Sequence, residues 1–172
     1  MGDSVVIRPL GPADLADYKR MRDEMLAAHP EAFTSDAETE AQRPADDYAA
    51  RFGLDRHDEG QFVLGARAGA QLVGAIGCEH DGRLKVRHIG HVIGMMVRPV
   101  ARRRGVGAQL LVACIAEARR AGLEMLTLTV TSGNESAVQL YERHGFAGYG
   151  TLRRALKVGA AYHDKLHMVL AL

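Results

Sequence analysis

One continuous stretch, from Val92 to Leu111, constrains the fold more than any other part of the chain. Its apolar start predicts a buried strand over 92–97, which Pro99 ends. Three arginines and two glycines follow, and apolar residues then recur at helical spacing from Val106. Glycines allow a close backbone approach, and the unpaired N–H groups of a first helical turn attract negative charge. The stretch therefore predicts a strand, a basic turn and a helix start that bind an anion.

Two well-known glycine motifs do not describe this turn. The dinucleotide fingerprint G-x-G-x-x-G requires a third glycine where this chain has Leu110. The P-loop requires Gly-Lys followed by Ser or Thr, and the sequence contains no such triplet. The anion site predicted at Gly105 and Gly107 is therefore neither a Rossmann-type dinucleotide site nor a P-loop.

The distribution of charge favours a phosphate-rich ligand over a nucleic acid. The 172 residues include 22 basic and 21 acidic ones, and the net charge of +1 gives no overall attraction to a polyanion. Seven basic residues nevertheless lie between Arg83 and Arg104, with no acid among them. Such a run is either a solvated basic face or a phosphate-binding one. Because it ends on the glycine turn, we expect the phosphate-binding one.

Length and composition predict one globular domain over residues 1–172, since 47% of the residues are apolar and 25% are charged. Cys78 and Cys114 fit neither a disulfide framework nor a metal-ligand spacing, so we expect core residues and no metal. No signal pattern precedes the domain, and no apolar run reaches the roughly 18 residues of a membrane span. We expect a cytoplasmic protein that does not bind membranes.

Local patterns in the first part of the chain predict strands, helices and an antiparallel meander that leads into the glycine turn. Gly90 and Gly94 indicate a bulge or a close backbone approach in the last strand, and Asp81-Gly82 predicts a hairpin turn. The acidic segment 31–40 is either an irregular loop or a short helix. The predicted strands cover 4–8, 61–66, 71–78 and 84–97, and the predicted helices cover 12–30 and 44–52.

The second part of the chain predicts a helix from Val106 to a stop at Gly122, a strand over 125–131, a further helix, and two final strands over 146–152 and 163–170. Ser132 and Glu135 have the spacing of a capping box for the further helix. The whole order indicates a single-domain α/β fold with one central sheet.

A second motif lies in that further helix and reads Asn134-x-x-Ala137-x-x-Leu140-Tyr141-x-x-x-Gly145-Phe146. Asn134, Ala137 and Tyr141 fall at i, i+3 and i+7, which places them on one helical face. A small residue on that face leaves room for a bound chain, and a phenol can reach into a cleft. Taken alone, Tyr141 is better explained as a core aromatic with a satisfied hydroxyl, and Asn134 can be explained as a helix-start residue.

Together the two motifs resemble the signatures of the GCN5-related N-acetyltransferase (GNAT) family. The first is Arg102-x-x-Gly105-x-Gly107-Ala108, and the second is the motif that starts at Asn134. The resemblance covers essentially the whole chain and is strongest over 90–146. It implies the acyl-CoA N-acyltransferase fold, with a mixed, mostly antiparallel sheet flanked by helices. It also implies transfer of an acetyl group from acetyl-CoA to a primary amine of a small molecule or a protein.

The resemblance also implies which residues bind the cofactor. The turn and helix start would hold its pyrophosphate through Arg102, Arg103, Arg104, Gly105, Val106, Gly107 and Ala108, so that a side chain at Gly107 would stand against the phosphates. The strand end formed by Met95, Met96 and Val97 would pair with the pantetheine arm. A backbone N–H of Met96 or Val97 would polarise the thioester carbonyl, where the family's sheet opens. Asn134 and Ala137 would contact the coenzyme A arm, and Tyr141 would protonate the leaving thiolate.

The general base is not carried over from the family. Many relatives have a glutamate about four residues before the position of Val97, where this chain has the apolar pair Val92-Ile93. The remaining candidates are His91, Glu79 and His88, or a chain of water molecules. The triplet Tyr162-His163-Asp164 is a further candidate for the acceptor side.

Several alternatives stay open at this point. The chain could be an acetyl-CoA-binding sensor or interaction domain without efficient catalysis, which the missing strand glutamate favours and Tyr141 opposes. Nucleic-acid binding is the weakest alternative, because no recognition motif accompanies the arginines. The acidic segment 31–40 gives a slight indication of a cationic acceptor, and relatives in the family are often homodimers.

Overall fold

A computed structural model describes residues 4–54 and 60–172 of the chain. Seven strands form one sheet in the order β1-β2-β3-β4-β5-β7-β6. The strands are β1 (Val5–Pro9), β2 (Phe62–Ala68), β3 (Gln71–His80), β4 (Ile89–Val97), β5 (Met125–Thr131), β6 (Ala147–Val158) and β7 (Ala161–Ala171). Four α-helices accompany them: α1 (Leu15–Ala28), α2 (Ala37–Ala41), α3 (Val106–Arg120) and α4 (Glu135–Arg143). The predicted α/β class and the mixed central sheet are confirmed.

The two faces of the sheet carry separate apolar cores. Buried residues of α3, including Leu110, Leu111 and Cys114, pack on one face, together with Tyr141 of α4. Buried residues of α1, including Tyr18 and Met21, pack on the opposite face. We call these the α3 face and the α1 face. Two faces covered by helices explain why β2 and β3 are almost continuously apolar in sequence.

The helix that follows the glycine turn forms as the sequence predicts. Gly105 precedes it with φ +75°, a left-handed conformation that a residue without a Cβ adopts at little cost. The buried stripe from Val106 to Ala118 faces the sheet. Gly122, with φ +76°, ends the helix as a left-handed C-terminal residue.

Strands β4 and β5 are the parallel neighbours in this sheet, and they pair over a short length. Their register joins Ile89 to Met125, Gly90 to Leu126 and His91 to Thr127. The other strand pairs are antiparallel, and β5 continues beside β7 as far as Thr131. Beyond His91 the two parallel strands separate, so the sheet opens between the second half of β4 and the second half of β5.

A bulge in β4 accompanies this separation. The register between β3 and β4 shifts between Ala75 and Gly77, opposite the segment that contains Gly94. Gly94 has φ +58°, so the backbone turns there in a way that most residues resist. The bulge predicted at this glycine is confirmed, and it directs the end of β4 away from β5.

Three predicted elements are wrong in extent. The strand predicted over 146–152 runs as β6 to Val158, because its pairing with β7 continues as far as Ala161. Residues 44–52 form a 3₁₀ helix over Ala45–Tyr48 followed by a turn, because the N–H groups of Asp47 and Ala49 donate to the third residue back rather than to the fourth. Strand β4 begins at Ile89 instead of residue 84. The carboxylate of Asp81 accepts the Arg83 N–H, and local bonds of Val86 and Arg87 to the Arg83 carbonyl then replace strand pairing. The connection is therefore an eight-residue loop over 81–88, not a tight hairpin.

The predicted capping box of α4 is also wrong. Asn134, not Ser132, is the N-cap, and its side-chain oxygen accepts the backbone N–H of Ala137 at 3.3 Å. Ser132 instead continues the sheet, since its N–H donates to the Asp164 carbonyl of β7. No helix in the described part of the chain is long and apolar enough to cross a membrane.

Candidate active site

A cleft of about 260 Å³ lies where β4 and β5 separate. Its walls come from both faces of the sheet, since α4 contributes from one side and the segment after α1 from the other. The lining residues are Arg22, Ala32, Phe33, Thr34, Ser35, Arg51, Val92, Ile93, Gly94, Met95, Leu128, Thr129, Val130, Thr131, Asn134, Ala137, Tyr141 and Lys165. The sequence predicted four of these as site residues, namely Met95, Asn134, Ala137 and Tyr141.

The edge of β4 that faces the cleft carries backbone N–H groups, while its Val97 carbonyl accepts a hydrogen bond from Arg102. Arg98 donates its N–H to the Val73 carbonyl of β3. Because successive residues of a strand alternate between its two edges, Met96 also faces β3, whereas Met95 and Val97 face the opening. Of the two residues predicted to polarise the thioester, only Val97 directs its N–H group toward the opening. The N–H group of Met95 is a second candidate donor on the same edge.

The first turn of α3 carries amide groups that no side chain caps. The first intrahelical bond runs from the Gln109 N–H to the Gly105 carbonyl at 3.0 Å, and the helix has no side-chain cap. The N–H groups of Val106, Gly107 and Ala108 precede that bond and point out of the helix end. Such a turn, next to the end of β4, can bind a phosphate through its backbone and the helix dipole.

The three arginines of the turn have different surroundings. Arg102 folds back, so that its Nε donates to the Val97 carbonyl at 3.1 Å and its Nη2 lies 2.8 Å from the His29 ring. Arg103 and Arg104 are exposed, and Arg103 adopts a left-handed backbone conformation with φ +59°. Arg103 and Arg104 are therefore open to a ligand's phosphates, whereas Arg102 ties the turn to the strand end.

The expected role of a side chain at Gly107 needs a correction. A Cβ on Gly107 would lie 3.3 Å from Met95 Cε and 3.5 Å from Leu140 Cδ2, toward the protein interior. A larger side chain there would therefore press α3 away from β4 and α4. The sequence suggested that such a side chain would stand directly in front of bound phosphate, but in the structure it points toward Met95 and Leu140.

Helix α4 presents the second motif to the cleft. Asn134 and Ala137 lie at its first turn, and Tyr141 lies one turn further along the same face. The Asn134 side-chain oxygen accepts the capping hydrogen bond, which confirms the prediction that Asn134 is a helix-start residue. Its side-chain NH₂ group is not used in that bond, so it can still donate to a ligand in the cleft.

Tyr141 is a buried phenol whose ring lines the cleft. It is 6% exposed, and its ring meets that of Phe146 edge-on at 5.8 Å between centroids. Burial raises the pKa of Tyr141 well above its ordinary value, with a smaller effect from Cys114. The phenol is therefore protonated at neutral pH. A protonated, poorly hydrated phenol at this position can donate a proton to an anion that forms in the cleft.

The structure brings the two predicted bases together but places them outside the cleft lining. Glu79 and His91 are register partners on β3 and β4, and both are exposed. His91 Nδ1 is also hydrogen-bonded to the hydroxyl of Thr127 on β5. His91 precedes Ile93, a lining residue on the same side of β4, by two positions. His88 lies before β4, at the opposite end of the strand from the cleft.

Three basic residues of the cleft were not identified from the sequence. Arg22 lies on α1, Arg51 follows the 3₁₀ helix, and Lys165 lies on β7 next to the predicted Tyr162-His163-Asp164 triplet. Each belongs to a different element, and none forms part of a local motif. No spacing in the sequence brings them together, so tertiary structure is their only signal.

The acidic segment does not favour a cationic acceptor. The Glu40 carboxylate is buried and accepts hydrogen bonds from Arg22 and from the Tyr48 hydroxyl, while Asp36 caps α2. The cleft instead meets the neutral residues Ala32, Phe33, Thr34 and Ser35. Thr131 Oγ1 donates to the Glu31 carbonyl at 2.7 Å, which fastens this segment to the end of β5.

Comparisons with known proteins show the family and the fold. The model of the acetyltransferase (GNAT) family matches residues 18–146. A mycothiol acetyltransferase from Salinispora tropica is 35% identical over 147 residues, which are 84% of this chain and 45% of that protein. The match covers most of this chain but less than half of these relatives, so the chain spans about half of their length.

Two further proteins are similar over most of their length. The N-alpha-acetyltransferase RimI of Mycobacterium tuberculosis is 33% identical over 113 residues, which are 65% of this chain and 68% of RimI. The structure of yncA from Salmonella typhimurium, described with its cofactor acetyl-CoA, superposes with a TM-score of 0.80. The two chains are 22% identical, and the match covers 98% of this chain and 94% of that one.

Proposed function

Because the chain belongs to the acetyltransferase (GNAT) family, we propose that it transfers an acetyl group from acetyl-CoA to a primary amine by direct attack in a ternary complex. The observation that carries this proposal is the opening between β4 and β5, which has Tyr141 and Asn134 on one wall. The opening continues to the opposite face of the sheet, so that cofactor and acceptor can approach from two sides.

Acetyl-CoA would bind along the α3 side of the opening. The uncapped N–H groups of Val106, Gly107 and Ala108 suit its pyrophosphate, and the exposed Arg103 and Arg104 add charge-assisted bonds. The free edge of β4 at Met95 and Val97 suits the amide groups of the pantetheine arm, which would add to the sheet like a strand. Asn134 and Ala137 would contact the same arm.

The chemistry requires a polarised thioester carbonyl and a protonated leaving group. The N–H of Met95 or Val97 would donate to the carbonyl oxygen as negative charge develops there. Removal of one such donor costs about 3 kcal/mol in other enzymes. Tyr141 would give its proton to the thiolate of coenzyme A, because burial keeps this phenol protonated. The neutral amine is both nucleophile and source of the proton that has to leave.

Loss of the amine proton would proceed through His91 or Glu79 and an intervening water molecule. Neither side chain is among the residues that line the cleft, so an intervening water molecule would connect it to the amine. The test is the pair His91→Gln and Glu79→Gln. A base at either position predicts a fall in kcat for that variant with little change in the acetyl-CoA KM, and unchanged rates in both would leave water as the acceptor.

The experiment for the proposed function is release of free thiol from acetyl-CoA with a panel of amines, combined with calorimetry of acetyl-CoA binding. Binding together with amine-dependent thiol release supports the transferase. Binding without thiol release on any amine favours the alternative, a sensor or interaction domain that retains the cofactor site. Absence of binding to the folded protein overturns both.

We further propose a cytoplasmic protein that forms a homodimer. The thiols of Cys78 and Cys114 are both free, which is usual in a reducing compartment. Strand β6 lies at the edge of the sheet and exposes Tyr149 and Leu152, so a partner could cover it. Light scattering at several protein concentrations measures the mass, and a monomer at all of them contradicts the dimer.

A further inference from the structure

The acceptor end of the cleft is cationic, and its charge is only partly balanced. Arg22, Arg51 and Lys165 line the cleft, and none of the described residues that line it is Asp or Glu. Such an imbalance in a half-enclosed cavity is costly unless a ligand supplies negative charge. The chemistry of the acceptor follows from how these cations are placed.

Among the described residues, Arg22 is the cation of the three that has a carboxylate partner. Its Nε lies 3.2 Å from Glu40 Oε2, and its Nη2 donates to Ser35 Oγ at 2.9 Å. Both charges of that pair are at most 8% exposed. Arg22 therefore organises the segment after α1, and its charge is neutralised by the protein.

Arg51 has no such partner. Within the described residues 4–54 and 60–172, no carboxylate lies within 4.0 Å of its guanidinium. The guanidinium lies over the Tyr48 ring at 5.7 Å from the centroid and interacts with the Tyr18 hydroxyl, whereas Glu79 acts on it only through space. The ring holds Arg51 in place without neutralising it, so the guanidinium remains able to bind an anion bidentately.

Lys165 approaches the cleft from the opposite wall. Its Nζ donates to Thr34 Oγ1 at 2.7 Å, and the part of the chain that the structure describes places no carboxylate within ion-pair distance of it. Burial lowers the pKa of Lys165, as expected for an ammonium group that lacks a counter-ion. An anion in the cleft would stabilise its charged form.

We propose that the acceptor is a small amine that also carries an oxyanion, such as a carboxylate, and that Arg51 and Lys165 bind this oxyanion. This inference rests on the proposed transferase function and specifies its substrate class. The oxyanion lies between the β4 wall and the β7 wall, which leaves the amine directed toward the thioester. A cleft of about 260 Å³, lined by Thr34 and Lys165 that bond to each other across it, suits a small molecule better than a peptide.

The test compares acceptors with and without a charged carboxylate. The nineteen α-amino acids that have a primary amine and their carboxamides are offered with acetyl-CoA, and thiol release gives kcat/KM for each. We expect at least one amino acid to exceed its carboxamide by tenfold or more, which is the effect of one hydrogen bond to a charged group. Equal or faster acetylation of the carboxamides, or acetylation of peptides alone, overturns the proposal.

Variants assign that preference to the two cations. Arg51→Gln and Lys165→Met should each lower kcat/KM for the preferred amino acid by about 10- to 100-fold, with little effect on the carboxamide. Their acetyl-CoA affinity by calorimetry should be unchanged. Arg43→Gln and Lys157→Met are matched controls, because both cations lie near a tyrosine ring but outside the cleft. Equal losses on both acceptors contradict an anion-binding role.

A failure of catalysis is distinguishable from a failure of anion recognition. If no amine releases thiol, the same amino acids and carboxamides are titrated by calorimetry into the protein saturated with coenzyme A. Selective binding of an amino acid that Arg51→Gln abolishes supports the anion site even though the transferase proposal fails. Absence of any selective binding overturns the anion site.

Discussion

Gly94 of β4 lies directly against the hydroxyl of Tyr18 on α1. A Cβ built on Gly94 would lie 3.4 Å from the Tyr18 oxygen and 3.9 Å from Arg51 Nη1. The bulge that opens the sheet is therefore also the point at which the α1 face and the basic end of the cleft meet. Any side chain at this position occupies space between the acceptor and the strand edge.

We predict that Gly94→Ala lowers kcat/KM for the acceptor by about tenfold, because the added methyl group enters the cleft and the left-handed backbone resists a Cβ. The backbone strain costs about 1–2 kcal/mol of folding free energy. Gly159→Ala is the matched control, since Gly159 has φ +59° and an added Cβ meets nothing within 4 Å. Chemical denaturation should show similar destabilisation for both variants. Equal activity in both would contradict the role of the Gly94 bulge.

We predict that Tyr141→Phe lowers kcat by about 100-fold and leaves the acetyl-CoA KM nearly unchanged, as expected when a general acid is removed. Stability should change little, because the hydroxyl makes no hydrogen bond with the described residues. Tyr149→Phe, at an exposed ring on β6, is the control. Wild-type turnover by Tyr141→Phe would exclude the acid role.

The pH dependence of the wild type gives an independent check on Tyr141. Burial raises the pKa of this phenol, so its protonated form persists above the ordinary tyrosine value of about 10. Since the acid acts in its protonated form, kcat should not decline between about pH 8 and 10 through loss of this proton. A decline with a midpoint near 9 that Tyr141→Phe abolishes would show that Tyr141 titrates within that range.

We predict that Ala108→Pro weakens acetyl-CoA binding by about tenfold. Proline in the first turn removes one N–H that has no intrahelical partner, so the helix itself should tolerate the change. Acetyl-pantetheine, which lacks the pyrophosphate, is the internal comparison. Its affinity should be the same in the variant and the wild type. Equal weakening of both ligands, measured by calorimetry, would place the pyrophosphate elsewhere.

Acid stability should depend on Asp14, which anchors the start of α1 to the sheet. Asp14 is 3% exposed, and its carboxylate accepts hydrogen bonds from Arg8, Arg67 and the Gly11 N–H. Hydrogen bonds from Arg8 are the main reason that the pKa of Asp14 lies well below its usual range. Burial opposes this lowering, and hydrogen bonds from Gly11 and Arg67 add to it. A lowered pKa in the folded state stabilises the protein above the unfolded value of about 4.

This stabilisation is therefore lost progressively as the pH falls from about 4 through the lower folded value. We predict that Asp14→Asn lowers the free energy of unfolding at pH 7 by about 2 kcal/mol, and that the deficit shrinks below about pH 4. Thermal unfolding across that range measures it. Asp81→Asn, in the exposed pair with Arg83, is the control. A deficit that stays constant with pH would contradict the linkage to Asp14.

The elements that carry local signals were predicted closely. Strand β5 was predicted at its observed bounds, and α3 begins and ends at the two positive-φ glycines that the sequence indicated. Such signals lie in neighbouring residues, because turn chemistry and helical or strand periodicity are local properties. Errors occurred where side chains compete for the same backbone groups, as when Asn134 rather than Ser132 capped α4.

The sequence also predicted a cofactor side for the candidate site, since the proposed contacts are backbone amides and one helical face. Gly105, Gly107, Asn134 and Tyr141 belong to two short motifs, each within a single turn-and-helix unit. Their roles remain predictions until binding and turnover are measured. The structure adds that Met95, Asn134, Ala137 and Tyr141 share one cleft.

The sequence by itself determined most of the order of the elements and the two motifs of the family, because these depend on residues that are close together in the chain, and the mixed sheet followed from the family resemblance. Only the tertiary structure decided the acceptor side. Arg51 and Lys165 are distant in sequence and become neighbours of one cleft because β4 bends away from β5 at Gly94 and because β7 pairs with the far end of β5. No periodicity encodes which long-range neighbours a basic side chain acquires, or whether a carboxylate is among them.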